Sequence, residues 1–171
     1  MMYKMIYDKL TKGDDGLYHA RAYTDERKKF FVQLNDVTIT EIGDDVSFEF
    51  TNTGKIDTIH DKVIQDAIDN SVEWFGKKLT EKTLRSAYTR EDTISAERIT
   101  DTKVFTHEKE ITDFNVIKTG DVCSVIVEFN GLWFAKKAFG PSWNIVQVKM
   151  RQPEEKFDET YPENYMFEDD E

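Results

Sequence analysis

A chain of 171 residues with 39% hydrophobic, 13% aromatic and 33% charged side chains has the composition of a globular domain with a well-wetted surface, and it is long enough to bury one core without disulfide or metal staples. The formal net charge is −11, but it is unevenly placed: residues 153–171 hold nine Asp and Glu side chains against one base, Lys156, which leaves residues 1–152 at −3. A single cysteine, Cys123, excludes a disulfide framework, and no apolar run approaches the roughly 18 residues of a membrane span.

Taken in chain order, residues 16–24 alternate Leu17, His19, Arg21 and Tyr23 with Tyr18, Ala20 and Ala22, which predicts a strand after the turn-forming residues 12–16. Two further strands are predicted at 28–34 and 37–42, joined by an Asn35-Asp36 corner, and a fourth at 46–50, where Val46, Phe48 and Phe50 share a face. The period then changes. Apolar residues from Ile56 to Phe75 fall at steps of three and four, predicting an amphipathic helix that ends near Gly76, and Thr80 opens a second, shorter helix reaching Tyr88. Strands resume beyond it. Residues 122–129 carry the strongest β signal, and the Asn130-Gly131 dipeptide predicts a hairpin turn into 132–137, since both residues accept positive φ. A last strand is expected at 143–150 after Gly140-Pro141. The sum is a mainly β (α+β) barrel in residues 1–152 with a helical segment at 56–88, followed by an acidic tail, 153–171, that like-charge repulsion keeps flexible.

Rings and cations coincide at several places in the body, and that pairing suits a single-stranded nucleic acid, whose bases stack on rings while Lys or Arg neutralise its phosphates. The candidate phosphate contacts are Arg21, Lys28, Lys29, Lys136, Lys137 and Lys149, and the candidate stacking rings are Tyr18, Tyr23, Phe31, Trp133 and Trp143. Core packing is the competing reading for any one of these rings, and it is the preferred one for Trp74 and Phe75. In the tail, Phe157, Tyr161 and Tyr165 recur every four residues; with Phe167 and the terminal Asp169, Asp170 and Glu171 they form a candidate partner-binding segment. Catalytic patterns are poor. His19, His60 and His107 lack metal-ligand spacing, Gly54-Lys55 lacks the rest of a phosphate loop, and Cys123 sits in an apolar run. No catalytic residue, metal or cofactor is expected, nor a membrane partner, and the absence of a secretory signal pattern points to an intracellular protein.

The segments 29–34 and 37–39, the late strand 122–129, the stretch 131–148 and the acidic tail together resemble the phage T7-type single-stranded DNA-binding proteins and their relatives in large eukaryotic DNA viruses. The resemblance implies an OB-like antiparallel barrel that coats unpaired DNA without sequence preference during replication and recombination. It also implies a tail that contacts a polymerase or other replication proteins and shields the DNA groove of the free protein. A homodimer is left open. A second class stays in view: a virion or scaffold component that uses its aromatic surface and acidic tail for protein contacts.

Overall fold

The computed structural model describes residues 4–51, 54–152 and 160–168. Its elements in chain order are β1 (Met5–Tyr7), β2 (Thr11–Lys12), β3 (Tyr18–Thr24), β4 (Phe30–Ile42), β5 (Asp45–Glu49), α1 (Gly54–Asp69), α2 (Ser71–Phe75), α3 (Glu81–Ala87), β6 (Thr93–Phe105), β7 (Ile111–Thr112), a 3-10 turn (Phe114–Val116), β8 (Val122–Phe134) and β9 (Phe139–Met150).

Five of these strands close on themselves. β4 pairs with β5, β5 with β6, β8 with β4 and β9 with β8, all antiparallel, and the parallel pairing of β6 with β9 completes the ring. A five-stranded ring with one parallel closure is the OB-like barrel expected from the sequence. Its inner face is filled by the alternate positions of each strand, among them Val32, Leu34, Val46, Phe48, Val127, Phe129, Ile145 and Val148. The helices enter between β5 and β6, and α1 adds Ile56, Ile59, Val63, Ile64 and Ala67 to the same core. Strands β1 to β3 extend the sheet outside the ring. β3 pairs with the far end of β8, while β1 is tied back to the helices by the Tyr7 hydroxyl, which donates to Asp66 at 2.8 Å.

The local differences from the sequence reading have physical causes. The expected corner at Asn35-Asp36 is a bulge inside one continuous strand: Asp36 takes φ 55° and the register against β8 shifts between Leu34 and Val37. The long helix is broken at Asn70, whose side-chain amide donates to the Asp66 carbonyl, and the second piece stops where expected, at Gly76 with φ 77°. Thr80 does cap α3, its hydroxyl accepting from the Thr83 N–H.

The Asn130-Gly131 hairpin is the clearest correction. β8 runs straight through these residues to Phe134, and the β8–β9 turn lies instead at 135–138, closed by the Ala135 N–H donating to the Ala138 carbonyl at 2.8 Å. Gly131 is needed for a different reason. β8 pairs with β4 up to Phe129 and with β3 from Gly131 onward, and at this crossing β3 presses against the backbone. A Cβ on Gly131 would lie 2.0 Å from the Ala20 carbonyl oxygen, and its φ of 147° disfavours any other residue. Gly131→Ala is therefore expected to cost about 3 kcal/mol and lower the thermal midpoint by roughly 6–12 °C. Circular dichroism melting checks this, and an unchanged midpoint would mean that the crossing is looser than described.

Candidate nucleic-acid interface

The long β8–β9 ladder decides which side chains share the outer surface of the barrel, because directly paired residues point the same way. Along β8 the outward positions are Ser124, Ile126 and Glu128, then Trp133 beyond the crossing; their partners on β9 are Lys149, Gln147, Asn144 and Gly140. On the other flank of β8, Gln33 and Phe31 of β4 stand opposite Ile126 and Glu128, and Arg21 and His19 of β3 stand opposite Gly131 and Trp133. The structure thus brings Arg21, Phe31, Trp133 and Lys149 onto one outer strip, although they come from four strands. Tyr23 alternates onto the Arg21 side of β3, where it is half-buried. Lys136 and Lys137 are exposed in the turn that ends the strip, and Lys28 and Lys29 are exposed where β3 hands over to β4, Lys28 beside Glu26 at 3.4 Å.

Two of the expected rings sit elsewhere. Tyr18 is 48% exposed but lies across from Phe134, on the opposite side of β3 from Arg21. Trp143 is only 6% exposed, and its ring meets Phe129 edge-on with centroids 5.3 Å apart. It is a core residue with one edge at the surface and offers no stacking platform. Alternation on β9 puts Trp143 inward with Ile145, which the expected start of that strand at 143 did not reveal. Trp74 is buried against Tyr7 and Phe134 and, with Phe75, packs in the aromatic core, as expected. In the tail, Tyr161, Tyr165 and Phe167 are exposed and carry no helix or strand; Phe157, Asp169, Asp170 and Glu171 lie outside the described residues.

The strip has a crevice at its Trp133 end. There β6 and β9 diverge before their parallel pairing starts at Glu97 and Asn144, leaving a space of about 200 Å³ walled by Trp133, Pro141 and the Trp143 edge on one side and by Thr93 and Ser95 on the other, with Glu91 also lining it. The Trp133 ring packs directly against Gly140, where a Cβ would come within 2.8 Å of it. Gly140 therefore lets the indole lie close against the strand. By contrast, the outer face of β5 and the facing part of β6 pair Asp45 with Glu97, Ser47 with Ser95 and Glu49 with Thr93. Apart from uncharged Thr93 and Ser95, which border the crevice, that surface is set by the three carboxylates of Asp45, Glu49 and Glu97 with neither ring nor cation, so it repels a polyanion.

His60 lies at the base of the crevice, buried, in a 2.6 Å hydrogen bond with the Tyr88 hydroxyl. Burial, helped by the nearby Arg90 charge and opposed by Asp57 and Asp61, pushes its pKa down to about 4. Arg90 is itself held by Asp57 and Asp61. Cys123 is a buried thiol whose pKa burial pushes up to about 12, which leaves it unreactive. Among the described residues no group of three His, Cys, Asp or Glu side chains is placed to hold a metal ion, and no helix is long and apolar enough to cross a membrane.

A family model, described as a family of unknown function (DUF5871), matches residues 35–169, from within β4 through most of the acidic tail. The chain belongs to that family. No curated protein matches it. Among solved structures, the chain is similar to the single-stranded DNA-binding protein from bacteriophage Enc34, with a TM-score of 0.52 at 17% identity over 91% of this chain and 94% of that one. The same phage protein in complex with single-stranded DNA gives a TM-score of 0.50 at 16% identity, over 90% of this chain and 98% of that one. Its C-terminal truncation gives 0.53 at 16%, over 91% and 98%. At such identities the likeness is one of fold.

The depressed His60 pKa has a consequence for this family member's stability. An unfolded chain binds a proton at His60 below about 6.5, whereas the folded one resists it down to about 4, so stability is complete above that window and falls as the pH drops through it. A loss approaching 1.4 kcal/mol per pH unit below about 6 is expected from this group. Urea unfolding at pH 7.0, 6.0 and 5.5, before most carboxylates titrate, should show that slope, and His60→Gln should flatten it. An equal slope in the variant would remove His60 as its source.

Proposed function

We propose that this protein binds single-stranded DNA along the outer face of the β8–β9 ladder, without marked sequence preference. The observation that carries the reading is the convergence of the exposed Phe31 ring, the half-buried Trp133 and Tyr23 rings and exposed cations from β3, β4, β8 and β9 on one strip of an OB-like barrel, the fold shared with a protein named for binding single-stranded DNA. Trp133 is the principal stacking platform, with Phe31 and Tyr23 further along. Arg21, Lys29, Lys136, Lys137 and Lys149 take phosphates, and Lys28 contributes once released from Glu26. Tyr18, on the reverse of β3, serves a strand that wraps around the β8–β9 turn. A protein built this way binds and protects the strand it holds.

The acidic tail fits the same scheme as an internal competitor. Carboxylates and rings on one segment offer the strip what an unpaired strand offers, at high effective concentration, and DNA of higher charge density displaces them. A freed tail is then available to a basic patch on a partner, and a place in replication or recombination inside a cell follows, in keeping with the T7-type resemblance. The described part of the tail leaves Tyr161, Tyr165 and Phe167 open, which suits anchors that dock on another surface.

Titrating labelled single- and double-stranded oligonucleotides at two salt concentrations tests the proposal. Single strands should bind more tightly, with affinity falling steeply as salt rises. Lys136→Ala/Lys137→Ala should weaken binding about ten-fold and reduce the salt slope by about 1.4, the value for two lost phosphate contacts on a single strand. Truncation after Gln152 should tighten binding at low salt. Salt-independent binding, or equal binding of both oligonucleotides, would instead favour a protein-contact role.

A further inference from the structure

The other end of the strip holds a second hollow. Where β4, β8, β9 and β6 lie side by side, they leave a groove of about 350 Å³ lined by Ile126, Gln33, Gln147, Phe105, Lys109 and Lys149, with the Gln33 amide N–H donating to Asn35 Oδ1 at 3.1 Å. Lys103 stands beside Gln147 through the parallel pairing of β6 and β9. That pairing is interrupted between Arg98 and Lys103, and Thr102 repairs the break by donating its hydroxyl to the Ile145 carbonyl at 2.5 Å while accepting from the Ile99 N–H. Two separate hollows adjoin it, one sharing Ser124 and Lys149 and lined also by Asp36, His107 and Arg151, the other sharing Gln33 and lined also by Phe31 and Lys55.

Its chemistry is specific in kind. A ring and an aliphatic side chain suit the face of a base; a primary amide both donates and accepts, as a base edge does; and a lysine binds a phosphate as a point charge. The volume is at the small end for an organic ligand, room for one base and its sugar. None of Lys103, Lys109 and Lys149 has an ion-pair partner among the described residues, whereas Lys62, Arg85, Arg90 and Arg151 all do.

Between this groove and the Trp133 crevice sits Glu128, only 6% exposed, its Oε1 accepting from the Asn144 amide at 3.2 Å, with Glu97 one strand further on. A phosphate cannot rest comfortably over that carboxylate. The cations accordingly form two zones, one around Arg21, Lys136 and Lys137 and the other around Lys103, Lys109 and Lys149. From Ser124 to Trp133 is a run of about 30 Å at about 3.3 Å per residue, within reach of one bound strand.

We propose that the groove lined by Gln33, Phe105, Ile126, Gln147, Lys109 and Lys149 is a second subsite for the same single strand, seating a base and its phosphate beyond the acidic gap at Glu128. It rests on the single-strand reading above and adds where the strand goes. Occupancy of this subsite requires an oligonucleotide that spans both zones; a short one is satisfied by the crevice alone.

The test compares full-length protein with its Lys103→Ala/Lys109→Ala variant, both residues being exposed and neither among the phosphate contacts assigned above, by fluorescence anisotropy on oligothymidines of about 5 and about 15 nucleotides. The variant should lose about ten-fold in affinity for the longer oligonucleotide, with a salt slope lower by about 1.4, and less than about two-fold for the shorter one. Unchanged affinity for the longer oligonucleotide, or equal losses on both, would overturn the subsite while leaving DNA binding intact. Tighter binding by the variant would also overturn it, since the groove would then hold the chain's own acidic tail. If the unaltered protein bound neither length, the single-strand reading would fail first.

Discussion

The pairing of β9 with two partners, antiparallel to β8 and parallel to β6, is the constraint on which the rest of the molecule depends. It closes the barrel, so the inward positions of five strands can fill one core, and it leaves the complementary outward positions as a continuous strip. Trp133, Gln147 and Lys149 owe their places directly to that register, and Arg21 and Phe31 to the pairing of β3 and β4 with the same β8. The two irregularities in β8–β9 are part of the same design. One lies between Ile126 and Val127, beside the interruption of the β6–β9 pairing between Arg98 and Lys103, and the other between Phe129 and Gly131, where the flank of β8 passes from β4 to β3.

Charge is distributed to match. The β5–β6 face presents Asp45, Glu49 and Glu97, while cations with no ion-pair partner among the described residues gather toward the two ends of the β8–β9 strip. A body that is close to neutral overall therefore still has a direction to its surface potential, and a polyanion is steered to one side of it. In the function proposed above, the acidic tail answers to the same potential, as a competitor for the strip and a ligand for basic partners. Beneath the strip the polar groups are satisfied: His60 with Tyr88, Asp66 with Tyr7 and Lys62, and Glu128 with Asn144.

Much of the fold was legible because period-two alternation is a local property. Residues 16–24, 46–50 and 122–129 read correctly as strands, and Gly76 and Thr80 marked real helix boundaries. What failed locally failed for tertiary reasons. Asn130-Gly131 carries a hairpin signature, yet the glycine answers to the close approach of Ala20, more than a hundred residues earlier in the chain. Trp143 looked like a platform beside lysines, but the strand begins earlier than its apolar run and sets its parity inward. The barrel groove was invisible in sequence because Gln33, Phe105, Ile126 and Gln147 come from four separate strands, and an isolated glutamine carries no signal. Only Phe31 and Lys149, each flanked by other candidates, pointed toward that side.

The most direct test of the central claim, that the outer β8–β9 strip is the binding surface, is backbone amide NMR of the full chain titrated with oligothymidine. The account predicts shifts concentrated at Arg21, Phe31, Gln33, Trp133, Lys136, Lys137, Gln147 and Lys149, with the Trp133 indole N–H among the largest and the outer positions of β5 unmoved. Shifts confined to α1–α3 or to Asp45, Ser47 and Glu49, with the strip silent, would contradict it.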